Sequence, residues 1–121
     1  MPRVSPSVVE PALGTSTDPL AADLLARLRR GAGGTIRAKA TRPFSREEAI
    51  RIYRRKAALG DRPTVRTEGY ASLLTALAEA PGARVIVHGL AFDDAVYLVF
   101  TDPARTRCVG VLRKVRLASS P

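Results

Sequence analysis

The sequence predicts an α+β domain in which two to three helices pack on an antiparallel meander of three to four strands. Three observations carry that expectation. The first half holds apolar residues at helical spacing behind recognisable caps, and the second half holds short apolar runs separated by turn residues. Val96 to Phe100 is apolar at every position instead of alternating, the pattern of a central strand covered on both faces. At 121 residues, with 45% apolar and 26% charged residues, the chain suits one folded domain.

Met1 to Thr17 contains three prolines and no sustained period, so it is expected to be a tail that is disordered or orders on a partner, outside the core. The domain is placed at residues 18–116, with 117–121 as a short C-terminal tail. Asp18-Pro19 is a helix start, because the Asp oxygen can accept from free amides and Pro is tolerated at the first helical position. Leu20, Leu24, Leu25 and Leu28 form the apolar stripe of that helix, and Gly31, Gly33 and Gly34 end it.

Thr35 to Thr41 sets Ile36, Ala38 and Ala40 against Arg37 and Lys39, with Arg42 just beyond, which reads as a short strand with a basic outer face. Ser45-Arg46-Glu47-Glu48 is a capping box that opens a helix from Arg46 to Leu59, closed at Gly60. Ala49, Ile50, Tyr53, Ala57 and Leu59 are its expected buried stripe. Asp61-Arg62-Pro63 is a turn, and a third helix is expected from about Glu68 to Ala80, with Thr67 as N-cap, Tyr70, Leu73, Leu74 and Leu77 inward and Pro81-Gly82 as terminator. Three strands follow, Arg84 to Gly89, Ala95 to Thr101 and Thr106 to Val115, the last two joined by Asp102-Pro103-Ala104-Arg105 with Pro at the second turn position.

Charge is the most informative functional feature. Lys and Arg number 20 against 11 acids, a formal +9, and the excess is segregated. Arg27 to Arg66 carries thirteen basic residues against three acids, Arg105 to Arg116 carries five against none, and Thr67 to Ala104 carries one against five. Such a field is one that a polyanion feels, and the Arg fork matches phosphate oxygens bidentately, so nucleic acid, DNA or RNA, is the expected partner. The expected contacts are Arg51, Arg54 and Arg55 on the second helix, where spacings of three and four put them on one side, together with Arg113 and Lys114 on the last strand. Glu47 and Arg51 are spaced to pair.

Other chemistry is sparse. His88 is the only histidine and is expected near Asp94, a base beside an orienting carboxylate. Cys108 is alone in an apolar run, so an intrachain disulfide is excluded and a buried, inert thiol is expected. Asp93-Asp94 and Asp102 fall in successive turns at opposite ends of the middle strand and do not form a metal site. One Cys and one His cannot hold zinc, and Gly31 to Gly34 lacks the Lys-Ser/Thr of a phosphate loop, so no cofactor is expected. Tyr53, Tyr70 and Phe100 are assigned to the core, leaving Phe44, Phe92 and Tyr97 as exposed platforms. With no signal-peptide pattern and no apolar span, a cytoplasmic protein without membrane contact is expected.

In order of elements, helix, strand, two helices and a hairpin, the chain resembles winged helix-turn-helix proteins. That resemblance implies a DNA-reading third helix, whose composition here is neutral to acidic. From Arg46 to Arg116 it also resembles the RelE/ParE-type ribonuclease toxins in element order, with no specific motif matched. This likeness implies a metal-independent ribonuclease, with His88, Tyr97, Arg113 and Lys114 as the candidates. The leading expectation is non-catalytic binding of a nucleic-acid backbone. The alternatives are that ribonuclease and an accessory module for an acidic protein partner. The second apolar face of the middle strand is expected to be covered by the tail or by a second copy, with a homodimer preferred.

Overall fold

The computed structural model describes residues 9–30, 37–61, 63–80 and 82–117, without the side chains of 37–43. Five strands form one antiparallel sheet: β1 (Arg37–Ser45), β2 (Val65–Glu68), β3 (Arg84–Ala91), β4 (Ala95–Thr101) and β5 (Cys108–Arg116), in the spatial order β1-β3-β4-β5-β2. The expected meander is its centre, with Ile86 opposite Thr101 and Tyr97 opposite Arg113. To this centre the chain adds β1 beside β3 and β2 beside β5. Pro43 is tolerated in β1 because an edge strand has one side without ladder partners.

The helices are α1 (Glu10–Leu13), α2 (Pro19–Arg29), α3 (Arg46–Leu59) and α4 (Tyr70–Glu79). The α+β class is thus as expected, with more helices and strands. Helices α1 and α2 cover one face of the sheet, where Leu13, Leu24, Tyr97, Val99 and Val111 are buried together. Helices α3 and α4 cover the other, where Tyr53, Leu73, Leu77, Phe100 and Leu112 are buried. Strand β4 is therefore covered on both faces, as its unbroken apolar run requires, and both covers come from this chain. The tail, one of the two covers expected for that face, contributes α1 to it beside α2.

Caps and breakers explain the boundaries. The Asp18 carboxylate accepts from the Leu20 amide at 2.9 Å, and the Ser45 hydroxyl accepts from the Glu48 amide at 3.1 Å. Gly60 closes α3 at φ 77°, where a side chain would be strained.

Three local expectations are corrected. Val9, Ala12 and Leu13 are buried, so the core begins inside the segment expected to be a tail; the apolar contacts of this single helical turn outweigh the local effect of Pro11. Thr67 is not a helix cap but a member of β2, its amide donating to Asp61 at 2.7 Å, and α4 starts after Gly69. Gly69 has a φ of 103°, and a Cβ there would meet the Val111 carbonyl oxygen at 2.7 Å, so glycine is what lets the chain turn tightly from β2 into α4. Leu59, expected inward, is 76% exposed at the C-terminal end of α3. The connector Gly31 to Gly34, Arg62 and Pro81 lie outside the described residues. No described helix is long and apolar enough to cross a membrane.

Candidate functional site

Successive side chains of a strand point to opposite faces, and this alternation decides the fate of the C-terminal basic run. Arg113 lies on the α2 face opposite Tyr97, and Lys114 lies on the α4 face opposite Val96. The two expected phosphate ligands are thereby separated by the whole sheet.

Arg113 is held by carboxylates. Its Nε donates to Glu68 Oε2 at 2.7 Å, its Nη2 donates to the same oxygen, and its Nη1 donates to Asp23 Oδ2 at 3.0 Å. Asp23 also accepts from the Tyr97 hydroxyl, which with the Arg113 guanidinium holds its carboxyl below the usual range. Burial, and then the Asp23 charge, push the Tyr97 phenol up. Arg27 extends the network from α2, gripping both oxygens of Asp94 at 2.8 and 2.7 Å and lying over the Phe92 and Tyr97 rings. That grip holds Asp94 at about 2. Arg113, expected to meet phosphate, thus bridges β2, β5 and α2 through Glu68 and Asp23. Lys114 lies near Asp61, whose carboxyl is lowered first by its bonds to Thr67 and then by the Lys114 charge.

The ribonuclease constellation is not assembled either. His88 is 4% exposed and lies opposite Val99, with its Nε2 2.9 Å from the Thr101 hydroxyl rather than near Asp94. Burial, and then the Arg105 charge, lower its pKa, which favours the neutral ring. Tyr97 is fully buried with its hydroxyl committed to Asp23, Arg113 is salt-bridged, and Lys114 is on the other face. Phe44 and Phe92 are buried as well, so none of the three expected aromatic platforms is presented for stacking. Cys108 is pushed up to about 11, chiefly by burial, which leaves it a thiol at neutral pH. Among the described residues no cluster of His, Cys, Asp and Glu can hold a metal ion.

Among the described residues, α3 presents three exposed arginines on one face. Ala49 and Tyr53 turn inward, which sends Arg51, Arg54 and Arg55 outward, and all three are exposed. None of the ion pairs among the described residues involves them. Glu47, expected to pair with Arg51, instead approaches Arg46 at 3.6 Å. The three arginines border a shallow depression of about 420 Å³ that Glu47, Ile50 and Ala58 complete. The spacing that sets Arg51, Arg54 and Arg55 on one side of α3 is met in the structure, and Arg113 and Lys114 lie apart from them on β5, on opposite faces of the sheet.

A second exposed basic group, counted in the Arg105 to Arg116 block but not named among the expected contacts, lies at the tip of the β4–β5 hairpin. Arg105 and Arg107 are exposed there, with Arg84 on the adjoining end of β3. Compared with protein-family models, curated proteins and solved structures, the chain matches none of them.

Proposed function

We propose that this protein binds the phosphate backbone of nucleic acid, without catalysis, through the outward face of α3. The observation that carries the reading is the exposure of Arg51, Arg54 and Arg55 on one helix face with no carboxylate partner among the described residues. A guanidinium that forms no internal ion pair keeps its full charge and its five donors for an external acceptor. Phosphate suits it because the planar fork meets two oxygens at once. Arg113 takes no part, its donors being spent on Glu68 and Asp23. The groups proposed for ribonuclease chemistry are dispersed or buried, which favours binding over cleavage. No base-reading helix is implied, because α4 packs on the sheet through Leu73 and Leu77.

The test is fluorescence anisotropy with labelled 20-mer duplex DNA and single-stranded RNA across 50 to 300 mM NaCl. Each phosphate contact contributes a log-log salt slope of about −0.9 on duplex DNA. The variant Arg51→Ala/Arg54→Ala/Arg55→Ala is expected to flatten that slope by roughly 2.7 and to weaken binding about 100-fold near 0.15 M salt. A flat wild-type salt response, or an unaltered slope in the triple variant, overturns the proposal. So does equal competition by polyglutamate of matched charge, which would point to an acidic protein partner.

A further inference from the structure

The β4–β5 turn is built rigidly, and its construction leaves its cations unspent. Asp102 accepts from the Thr106 amide at 2.8 Å, the Thr106 hydroxyl at 2.7 Å and the Arg107 amide at 2.8 Å, while its own carbonyl accepts from the Arg105 amide at 3.0 Å. The one carboxylate of the turn is thus occupied by backbone amides and a hydroxyl. It is not salt-bridged to either arginine, and no ion pair among the described residues includes Arg84, Arg105 or Arg107.

Arg105 is also the only described non-glycine residue at positive φ, 60°. A glycine or asparagine would take that conformation at less cost, so the turn carries an arginine where its backbone least favours one. A residue held against its conformational preference is a pointer to a use for its side chain.

Placement strengthens the pointer. Arg84 pairs with Ser45, the N-cap of α3, and the last β3–β4 pair is Ile86 with Thr101, so Arg84 adjoins the turn. Helix α3 therefore departs from the same end of the sheet that carries Arg84, Arg105 and Arg107. Arg84 alternates with Val85, which packs beneath α3 and α4, so Arg84 leaves the sheet on the face away from α3, beside the turn that carries Arg105 and Arg107. Arg51 lies six residues into the chain from Ser45, about 9 Å along the helix, and the β4–β5 turn lies about 12 Å across the strands. With a layer spacing of about 10 Å between α3 and the sheet the separation is roughly 18 Å, or about five base pairs at 3.4 Å each, within one helical turn of a duplex.

We infer that the hairpin tip, through Arg105 and Arg107 with Arg84 beside them, is a second phosphate contact for the nucleic acid that α3 binds. This inference rests on the reading of α3 given above. The ligand passes over the end of the sheet and touches both basic groups, so the contacts add in affinity and in salt dependence.

Three variants separate this inference from the reading beneath it, measured in the same anisotropy assay with the 20-mer duplex. Arg105→Gly/Arg107→Ala is expected to flatten the salt slope by about 1.8 and weaken binding roughly 30-fold near 0.15 M salt, which is two contacts' worth. Arg105→Gly alone is expected to cost roughly fivefold in affinity. Its melting temperature should be no lower than wild type, because glycine accepts the turn geometry without strain. Arg107→Ala/Arg84→Ala keeps the Arg105 backbone intact and serves as the control on folding. If the hairpin variants keep wild-type affinity and slope while the α3 triple variant has lost both, the hairpin inference is overturned and the α3 reading stands. If wild-type binding shows no salt dependence, both fall.

Discussion

Replacing Arg113 by Ala separates a structural cation from a binding one. The guanidinium donates to Glu68 twice and to Asp23 once, and the three side chains are 26%, 28% and 38% exposed. A hydrogen bond to a charged partner contributes about 1.5 to 3 kcal/mol when well buried. Solvent reaches each of these groups, so the two pairs together are discounted to about 2 to 3 kcal/mol. Truncation also leaves Glu68 and Asp23 as neighbouring carboxylates without their shared cation, which acts in the same direction. For a domain of this size about 4 °C accompanies each kcal/mol, so the melting temperature should fall by roughly 8 to 12 °C. Urea denaturation followed by circular dichroism at pH 7 gives the free energy. The double variant Arg113→Ala/Glu68→Ala should lose less than the sum of its parts, because the pair is coupled. Anisotropy at 20 °C, where Arg113→Ala remains folded, should show wild-type affinity for nucleic acid and a wild-type salt slope. The reasoning is refuted if Arg113→Ala costs less than about 0.5 kcal/mol, the range of an ordinary surface change, or if binding is lost while stability is kept.

Three further outcomes are expected. The single His88 should titrate by NMR with a midpoint below 6.5, since burial and the Arg105 charge both disfavour the imidazolium. The unfolded chain then binds the proton first, so this group's share of stability is full above pH 6.5 and declines as pH falls toward the folded pKa; a midpoint at or above 6.5 contradicts the burial. Cys108, held at about 11, should react with a disulfide reagent at pH 8 at least about 100-fold more slowly in the native protein than in guanidinium, where one equivalent should react at once. Prompt native reaction would show that the thiol is accessible. Gly69→Ala should destabilise by about 3 kcal/mol or more, because its Cβ would sit 2.7 Å from the Val111 carbonyl oxygen and 2.8 Å from Leu20 Cδ1 at a φ of 103°; a change within 1 kcal/mol would mean that the β2–α4 turn relaxes freely.

Local chemistry made much of the fold legible. The capping box at Ser45 and the Asp18-Pro19 start fixed α2 and α3 to within a residue, because caps act over three or four positions. The unbroken apolar run of β4 identified the central strand. Strand β2 was not legible: Val65 to Glu68 is four residues long, with too few positions to show a period, and it exists because β5 offers an edge. The interior part of the tail was missed for the converse reason, since Pro6 and Pro11 suppress the local helical signal while Val9 and Leu13 are held by the sheet. The α3 face of the candidate site followed from spacing alone. Arg113 did not, because its partners Asp23 and Glu68 are 90 and 45 positions away in the chain.

That difference bears on how a formal charge of +9 translates into a surface. A carboxylate cancels a guanidinium locally only within about 4 Å, and in solvent at physiological ionic strength the field decays over about 8 Å. The acids of this chain are largely engaged where they stand: Asp18 on a helix cap, Asp61 and Asp102 in turns, and Asp23, Glu68 and Asp94 on Arg113 and Arg27. The last three lie with α2 and the sheet, across the domain from α3, roughly two layers or 20 Å away. They stabilise the junction of α2 with β5 and do little to offset Arg51, Arg54 and Arg55. The excess of positive charge is therefore not spread evenly over the molecule. Among the described residues it includes Arg51, Arg54 and Arg55 on α3 and Arg105 and Arg107 at the hairpin tip, none of them in an ion pair although Glu47 and Asp102 lie nearby, and it is at those two places that substitution should alter the salt dependence of binding.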